Sequence, residues 1–366
     1  MVNSLKKIST SLFSEITEIP EILKQSHYPS LDGFRGVSII FVIIFHINEG
    51  KNFLIFNGGL GVAIFFVISG FLITTLLIKE KVKTKTISLK RFYIRRLLRI
   101  FPVAYLYIFV VLLLNYFFKL HISFVTFVAA GLYIMNFSYF LKHYNSIITQ
   151  HFWSLSVEEQ FYMFFPYLLK KNFKVYLWII IFIVFLLPVI LLLADYVHQL
   201  NTGIVYAGTH YLIKFQSIAV GCLFSVLMFK NYFNFTFISK YKVVINLLII
   251  ASFFFIQYDQ NYSVKIVFTN LLISFLAAYL IISNLVHSSD FIFKFLNSKI
   301  MGFIGVLSYS LYIWQQLFTT TTKNLPPFMS KLPFNICLLV IVACISYYFY
   351  EKKFLKLKDR FEPKTK

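Results

Sequence analysis

Cysteine is scarce in this chain. Cys222, Cys337 and Cys344 all fall in apolar stretches, form no CxxC and leave an odd count, so neither a disulfide framework nor a zinc site is indicated. Acidic residues are few as well: 14 Asp and Glu stand against 35 Lys and Arg, for a formal charge of +21. A cleavable signal is missing, because Met1 to Ser26 is mixed polar and amphipathic with no apolar core. Fixed-period repeats and low-complexity linkers are missing too.

What the chain has in abundance is apolar surface. It is 59% hydrophobic and 20% aromatic, with a mean hydropathy of +0.76. Several runs approach or exceed the roughly 18–20 residues that cross a bilayer. Helices satisfy their own backbone in lipid, so the reading is an all-α polytopic membrane protein of about ten transmembrane helices. The candidate spans are 31–49, 60–79, 100–119, 122–140, 174–194, 206–229, 241–257, 264–286, 301–320 and 333–350. They form one transmembrane domain over 28–350, between a leader at 1–27 and a basic tail at 351–366. In a soluble chain the positive charge would suggest nucleic acid. Here Lys and Arg crowd into links expected to be cytoplasmic, and no nucleic-acid partner is expected. The 80–99 link carries Lys81, Lys83, Lys85, Lys90, Arg91, Arg95, Arg96 and Arg99 with one acid, Glu80. This charge pattern places both termini in the cytoplasm of a multi-pass inner or plasma membrane protein. It does so on condition that His151–Leu169 enters and leaves on one side. That segment has a polar head (His151, Ser154, Ser156, Glu158, Glu159, Gln160) and is expected to be a re-entrant or half-helix lining a cavity.

Ionisable groups inside apolar spans mark candidate sites. Asp32, Arg35 and His46 share the first span. Arg35 and His46 are 11 positions apart, about 20° from three full turns and roughly 16 Å along the axis. Asp32 lies one turn before Arg35 and can pair with it. His46 is a candidate general base, with a hydrogen-bonded packing histidine as the competing reading. In the second candidate stretch, Ser156 and Glu159 have capping-box spacing, which leaves Glu158 as the better functional candidate. In the third, Arg96 and Arg99 share a helix face at i,i+3 where a helix meets the membrane, a fork suited to phosphate; Arg95 joins them as a donor-site candidate. Pro102 is expected early in the following span. Gly58-Gly59-Leu60-Gly61 and Phe65 to Phe71 offer small residues for close helix packing. Lys214 needs a partner or a wet cavity. Ser308 to Gln315 places hydroxyls and an aromatic on one helix.

Taken in order, these stretches resemble the acyltransferase-3 family of integral membrane O-acyltransferases. The resemblance rests on Leu31-Asp32-Gly33-Phe34-Arg35-Gly36 with His46, on Phe65-Phe66-Val67-Ile68-Ser69-Gly70-Phe71, on Arg96-Leu97-Leu98-Arg99-Ile100-Phe101-Pro102, and on Trp153-Ser154-Leu155-Ser156-Val157-Glu158-Glu159-Gln160-Phe161-Tyr162. It covers the chain from about Tyr28 to Tyr350. It implies transfer of an acyl group, often acetyl, from cytoplasmic acyl-CoA to a hydroxyl of an extracytoplasmic or lipid-linked glycan, with no metal. By resemblance His46 is the essential histidine, Arg35 its partner, and Arg96 with Arg99 the donor contacts. Glu158, or Asp32 through Arg35, orients the site. Trp153, Ser154, Glu159, Ser69 and Tyr312 are the expected substrate contacts. The chain departs from the family pattern at Gln315, where relatives often carry His, and at Lys214-Phe215-Gln216, where many have Arg-x-Asp. The hydrolase-like C-terminal domain of some members is not expected here. Expected partners are membrane lipid and the glycan acceptor; oligomeric state stays open. A transporter of lipid-linked or polymeric saccharide, or a non-catalytic membrane subunit, would also place polar residues inside the bundle.

Overall fold

The computed structural model describes residues 11–47, 58–137, 146–198, 212–255, 263–321 and 324–361. Every regular element among them is helical. In chain order the main helices are α1 (Pro29–Ile47), α2 (Gly58–Thr84), α3 (Leu89–Phe118), α4 (Phe124–Gly131) and α5 (Phe152–Lys171). Next comes α6, which begins as Phe173–Ile181, passes through a π-helical turn at Phe182–Leu186 and continues as Leu187–His198. Then follow α7 (Lys214–Phe229), α8 (Phe235–Phe255), α9 (Ser263–Ser283), the short α10 (Phe291–Leu296) and α11 (Lys299–Thr319). The last, α12, runs Phe334–Ile345, a π segment Ser346–Glu351, and Lys352–Asp359.

Among the described residues six helices are long and apolar enough to cross a membrane: Pro29–Ile47, Gly58–Thr84, Leu89–Phe118, Phe173–Leu193, Phe235–Phe253 and Phe334–Asp359. The chain is therefore a multi-pass membrane protein. Lys214–Phe229 and Phe268–Ser283 are shorter apolar helices. Neither α5 nor α11 is among the six, although each has about the length of a span. Both carry the polar residues that face the bundle interior, and that polarity lowers their hydropathy.

Two expectations about span boundaries change. The expected span at 122–140 is not a single helix: α4 stops at Gly131, and eight residues rise only about 12 Å; residues 138–140 lie outside the described ones. The expected re-entrant or half-helix at 151–169 is one uninterrupted helix, α5, whose 20 residues extend about 30 Å. Ser156 and Glu159 therefore sit inside it and not at its start, and the Ser156 hydroxyl donates to the Phe152 carbonyl within the helix. The capping-box reading fails because the helix begins a full turn earlier. Pro102 likewise lies well inside α3, where a missing N–H favours a bend.

Local chemistry fixes several helix starts. Asn172 alone separates α5 from α6, and its side-chain oxygen accepts from the Lys174 and Val175 amides at 2.9 and 3.2 Å. Asp290 caps α10 through Phe293 N at 2.8 Å. Glycine sets the closest helix approaches. A Cβ on Gly70 would run into the Ile218 carbonyl of α7, and one on Gly221 into the Val67 carbonyl of α2. The same holds between α1 and α11, where Gly305 meets the Asp32 backbone and Gly33 meets Leu296 just before α11. The packing role read for Gly58 and Gly61 is seen here: a Cβ on Gly61 would lie 2.6 Å from the Ser38 carbonyl. Without lipid-water contrast between helices, such small-residue contact is the main way membrane helices associate. α1, α2, α5, α3 and α11 thus surround a common interior.

Candidate active site

That interior holds a cavity of about 100 Å³. Its wall includes Arg35 from α1, Ser69 from α2, Arg96 and Arg99 from α3, Glu158 and Tyr162 from α5, and Tyr312 from α11. On α2 the lining runs from Leu72 through Ser69, Phe66 and Phe65 to Val62. Ten residues of helix rise about 15 Å, close to the roughly 16 Å between Arg35 and His46 on α1. The end near Leu72 is basic and the end near Val62 is apolar and aromatic.

Three guanidinium groups meet at the basic end. Arg35 donates to Asp32 Oδ1 at 2.7 Å, and the other oxygen of Asp32 takes His27 Nε2 at 2.6 Å. Asp32 thus sits behind Arg35 and away from the cavity wall. Arg35 lies in the electrostatic field of both Arg99 and Arg96. Arg96 stacks over the Tyr162 ring at 4.7 Å and reaches the Phe92 ring at 5.8 Å. Among the described residues neither Arg96 nor Arg99 has a carboxylate within 4 Å, so their N–H donors stay available. The facing carboxylate is Glu158. The Tyr162 hydroxyl donates to it and is also hydrogen-bonded to Ser69. Ser69, Tyr162 and Glu158 form one polar chain across the cavity, with Arg96 over the tyrosine ring. Such a wall, with three cations and one anion, attracts phosphates and carbonyl oxygens.

His46 stands further along α1. Its Nδ1 lies 2.8 Å from the Val42 carbonyl, so Nδ1 carries the proton and Nε2 keeps its lone pair. That is the tautomer a general base requires. His46 does not line the cavity. It lies within electrostatic range of His151 at the start of α5. At this same end Ser154 and Tyr312 are hydrogen-bonded across α5 and α11, and both hydroxyls reach the His151 carbonyl, at 3.2 and 3.1 Å.

An acyltransferase domain model matches residues 28–351. The chain belongs to the acyltransferase-3 family. Curated relatives include O-acetyltransferase OatA of Staphylococcus aureus strain NCTC 8325, 32% identical over 92% of this chain and 58% of the relative. A second, from Staphylococcus aureus strain COL, is provisionally named an O-acetyltransferase and is 33% identical over 91% of this chain and 58% of its own length. The chain thus spans less than three-fifths of the length of these relatives. No solved structure matches the chain at a significant level.

For this acyltransferase-family domain the structure brings Arg35, Arg96, Arg99, Glu158, Ser69, Ser154 and Tyr312 to one cavity. It does not bring Arg95 there. Arg95 is rotated about 100° from Arg96, pairs with Glu80 at 3.5 Å and donates to the Phe361 carbonyl at 2.7 Å. Its place is structural, tying α3 to the end of α2 and to the tail. Trp153 lies outside the cavity with Lys214 Nζ 3.5 Å above its ring and Phe66 at its edge; this aromatic face is the partner Lys214 required. Glu159 does not line the cavity, although it lies within electrostatic range of Glu158 and Arg96 in the wall, and its Oε1 is buried without a hydrogen bond. On its other side it lies within electrostatic range of Tyr133, Tyr105 and Tyr309. Tyr162 was missing from the expected site, although it lies at i,i+4 from Glu158, the spacing that puts two side chains in contact. His151 was missing too; it does not line the cavity, and only the fold shows its carbonyl bonded by Tyr312 of the wall. Among the described residues no group of three or more His, Cys, Asp or Glu could hold a metal.

Proposed function

We propose that this chain is a membrane O-acyltransferase that moves an acyl group, with acetyl the favoured case, from cytoplasmic acyl-CoA to a hydroxyl of an extracytoplasmic or lipid-linked glycan. The observation that carries the reading is one cavity with a guanidinium cluster at one end and an apolar, aromatic path leading about 15 Å towards the level of a properly tautomerised histidine. The activity for which the relatives are named, O-acetyltransferase, supports the acetyl assignment. On this reading α5 crosses the membrane in place of 122–140. The chain then has ten crossings, with the Lys- and Arg-rich links and both termini inside.

The phosphates of the donor sit against Arg96 and Arg99 at the cytoplasmic end, where unpaired guanidinium donors offer charge-assisted hydrogen bonds. The thioester arm follows the apolar wall of Val62, Phe65 and Phe66. Nε2 of His46 takes the proton of the acceptor hydroxyl as its oxygen attacks the thioester carbonyl carbon. The new C–O bond forms, the C–S bond breaks, and CoA leaves as thiolate, which takes up the proton that His46 releases. Arg35, held by Asp32, and Glu158, held by Tyr162 and Ser69, keep the charged wall in place. Positioning of this kind is what a bimolecular transfer gains most from.

The test is transfer of labelled acetyl from acetyl-CoA to cell-surface glycan, with His46→Ala alongside the wild type. A general base is worth about 10²–10⁴ in rate, so the variant should lose at least a hundredfold. Full activity in His46→Ala refutes the mechanism. Saccharide flux without any CoA requirement would instead mark a transporter.

A further inference from the structure

The cavity-facing stripe of α2 does not stop at Leu72. Leu76, Lys79 and Lys83 follow it on the same helix. At about 100° per residue Lys79 and Lys83 fall roughly 20° to either side of the Leu72 direction, and Leu76 roughly 40° from it. Leu72 is in the cavity wall, while Leu76, one turn on, is 43% exposed. The protein cover over this face of α2 therefore ends where the guanidinium end of the cavity begins. Only four residues join α2 to α3, yet the two pack on different neighbours: α2 on α1 and α7, α3 on α12. Lys79 and Lys83 stand about 10 and 16 Å beyond Leu72 along the axis, on the open side of the cavity.

Neither lysine has a carboxylate within 4 Å among the described residues. Lys79 donates to the Gln25 carbonyl and to the Tyr28 hydroxyl, each at 2.8 Å, which fixes its ammonium and leaves a further N–H donor. Lys83 is exposed and makes no hydrogen bond or ion pair among the described residues. The two lie within electrostatic range of each other, and like charges at i,i+4 are destabilising. Nearby carboxylates are already engaged. Glu80 holds Arg95 at 3.5 Å and the Ser88 amide at 2.8 Å, and Asp32 holds Arg35 and His27. Lys81, on the other side of α2, pairs with Glu15 at 3.5 Å. Two uncompensated ammonium groups thus stand outside three guanidinium groups on one open path. That arrangement draws in an anion that carries phosphate at two separate places.

We propose that Lys79 and Lys83 bind the ribose phosphate of the acyl-CoA donor, apart from the pyrophosphate held by Arg96 and Arg99. The assignment rests on the acyl-transfer reading above. Coenzyme A carries its pyrophosphate next to the pantetheine arm and its ribose phosphate further from the thiol. With the arm in the cavity and the pyrophosphate at the guanidinium cluster, the ribose phosphate lies out along the open face of α2. The two lysines then select coenzyme A over thioester donors that lack this phosphate.

The experiment uses the full chain in lipid nanodiscs with two probes, acetyl-CoA and acetyl-dephospho-CoA, which differ only in the ribose phosphate. Affinity for each is read by calorimetry. The variants are Lys83→Gln, Lys79→Gln, Lys79→Arg and the control Lys81→Gln. The wild type should bind acetyl-CoA roughly tenfold or more tightly than the dephospho probe, with the difference shrinking at high salt. Lys83→Gln and Lys79→Gln should each weaken acetyl-CoA by about threefold or more and leave the dephospho probe within about twofold, so that losing the lysine and losing the phosphate are not additive. Lys79→Arg should keep most of the preference, and Lys81→Gln all of it. Lys83→Gln should melt with the wild type, since Lys83 holds no other group, so a loss of affinity there does not come from the fold. The proposal is overturned if the wild type binds the two probes equally, or if the Gln variants weaken both probes alike. Equal binding of both probes removes this assignment and leaves the acyl-transfer reading standing. If the wild type binds neither probe, that reading fails and the assignment falls with it.

Discussion

Arg95 and Arg96 are adjacent, identical in type and embedded in the same basic run, yet the structure gives them opposite duties. Arg96 lines the cavity with its guanidinium over Tyr162 and no carboxylate within 4 Å among the described residues. Arg95 pairs with Glu80 and bonds the Phe361 carbonyl. In Arg96→Gln the cavity wall falls from three guanidinium groups to two, facing one carboxylate. A charge-assisted hydrogen bond contributes about 1.5–3 kcal/mol, which at about 1.4 kcal/mol per tenfold is roughly a 10- to 150-fold loss in donor affinity. The stacking of Arg96 on Tyr162 contributes about 0.5–2 kcal/mol, so a small drop in melting temperature is also expected. In Arg95→Gln the Glu80 carboxylate keeps the Ser88 amide at 2.8 Å but loses its cation, and the Phe361 carbonyl loses its donor. A destabilisation of about 1–3 kcal/mol follows, with donor affinity unchanged. The assay is acetyl-CoA binding by calorimetry in nanodiscs, paired with thermal unfolding, and both variants are measured at low and high salt. The Arg96 effect should shrink as salt screens the phosphates in the wild type. Equal donor affinities for the two variants would refute the reasoning, and so would an Arg95→Gln protein that binds acetyl-CoA tenfold more weakly than the wild type.

Two further outcomes follow from the same geometry. Tyr162→Phe keeps the ring under Arg96 but removes the hydroxyl that serves Glu158 and Ser69; transfer should fall about tenfold or more, with donor affinity nearly unchanged, as steady-state kinetics with separate donor and acceptor titrations will show. Gly70→Ala places a Cβ against the Ile218 carbonyl, a backbone atom that cannot swing aside, so the α2–α7 contact should open at a cost of about 1–3 kcal/mol. Thermal unfolding in nanodiscs checks this, with Gly302→Ala as the control, since nothing lies within 4 Å of a Cβ there.

The membrane class, the helical fold and the Asp32–Arg35 pair were legible from residues alone. Each follows from a local rule: apolar run length, backbone satisfaction in lipid, and i,i+3 spacing. The Arg96–Arg99 fork was legible for the same reason, because side chains three apart on one helix must share a face. Arg95 differs from the expectation that it joins the donor site, because it faces Glu80 and the tail; nothing in the sequence says which face of α3 looks inward. The segment 122–140 is apolar enough to span, and only the structure shows α4 ending at Gly131. The polar head of α5 lines the cavity as its composition suggests, with Ser154 and Glu158 in the wall, and only the structure shows that it belongs to one continuous helix of 20 residues.

What the sequence by itself determined is the set of one-dimensional facts: a multi-pass membrane chain, its family, and the groups too polar to face lipid. Tertiary structure decided which of those groups meet. Tyr162 joins Ser69 and Glu158 from helices 93 residues apart in number at one contact, and His151 meets Tyr107, Tyr312 and the end of α11 only because α5 begins there. The physical reason is that helix periodicity fixes relative directions within a helix, while the rotation of each helix about its own axis is settled by packing against the others, through contacts such as Gly70 on the Ile218 carbonyl that no local pattern encodes.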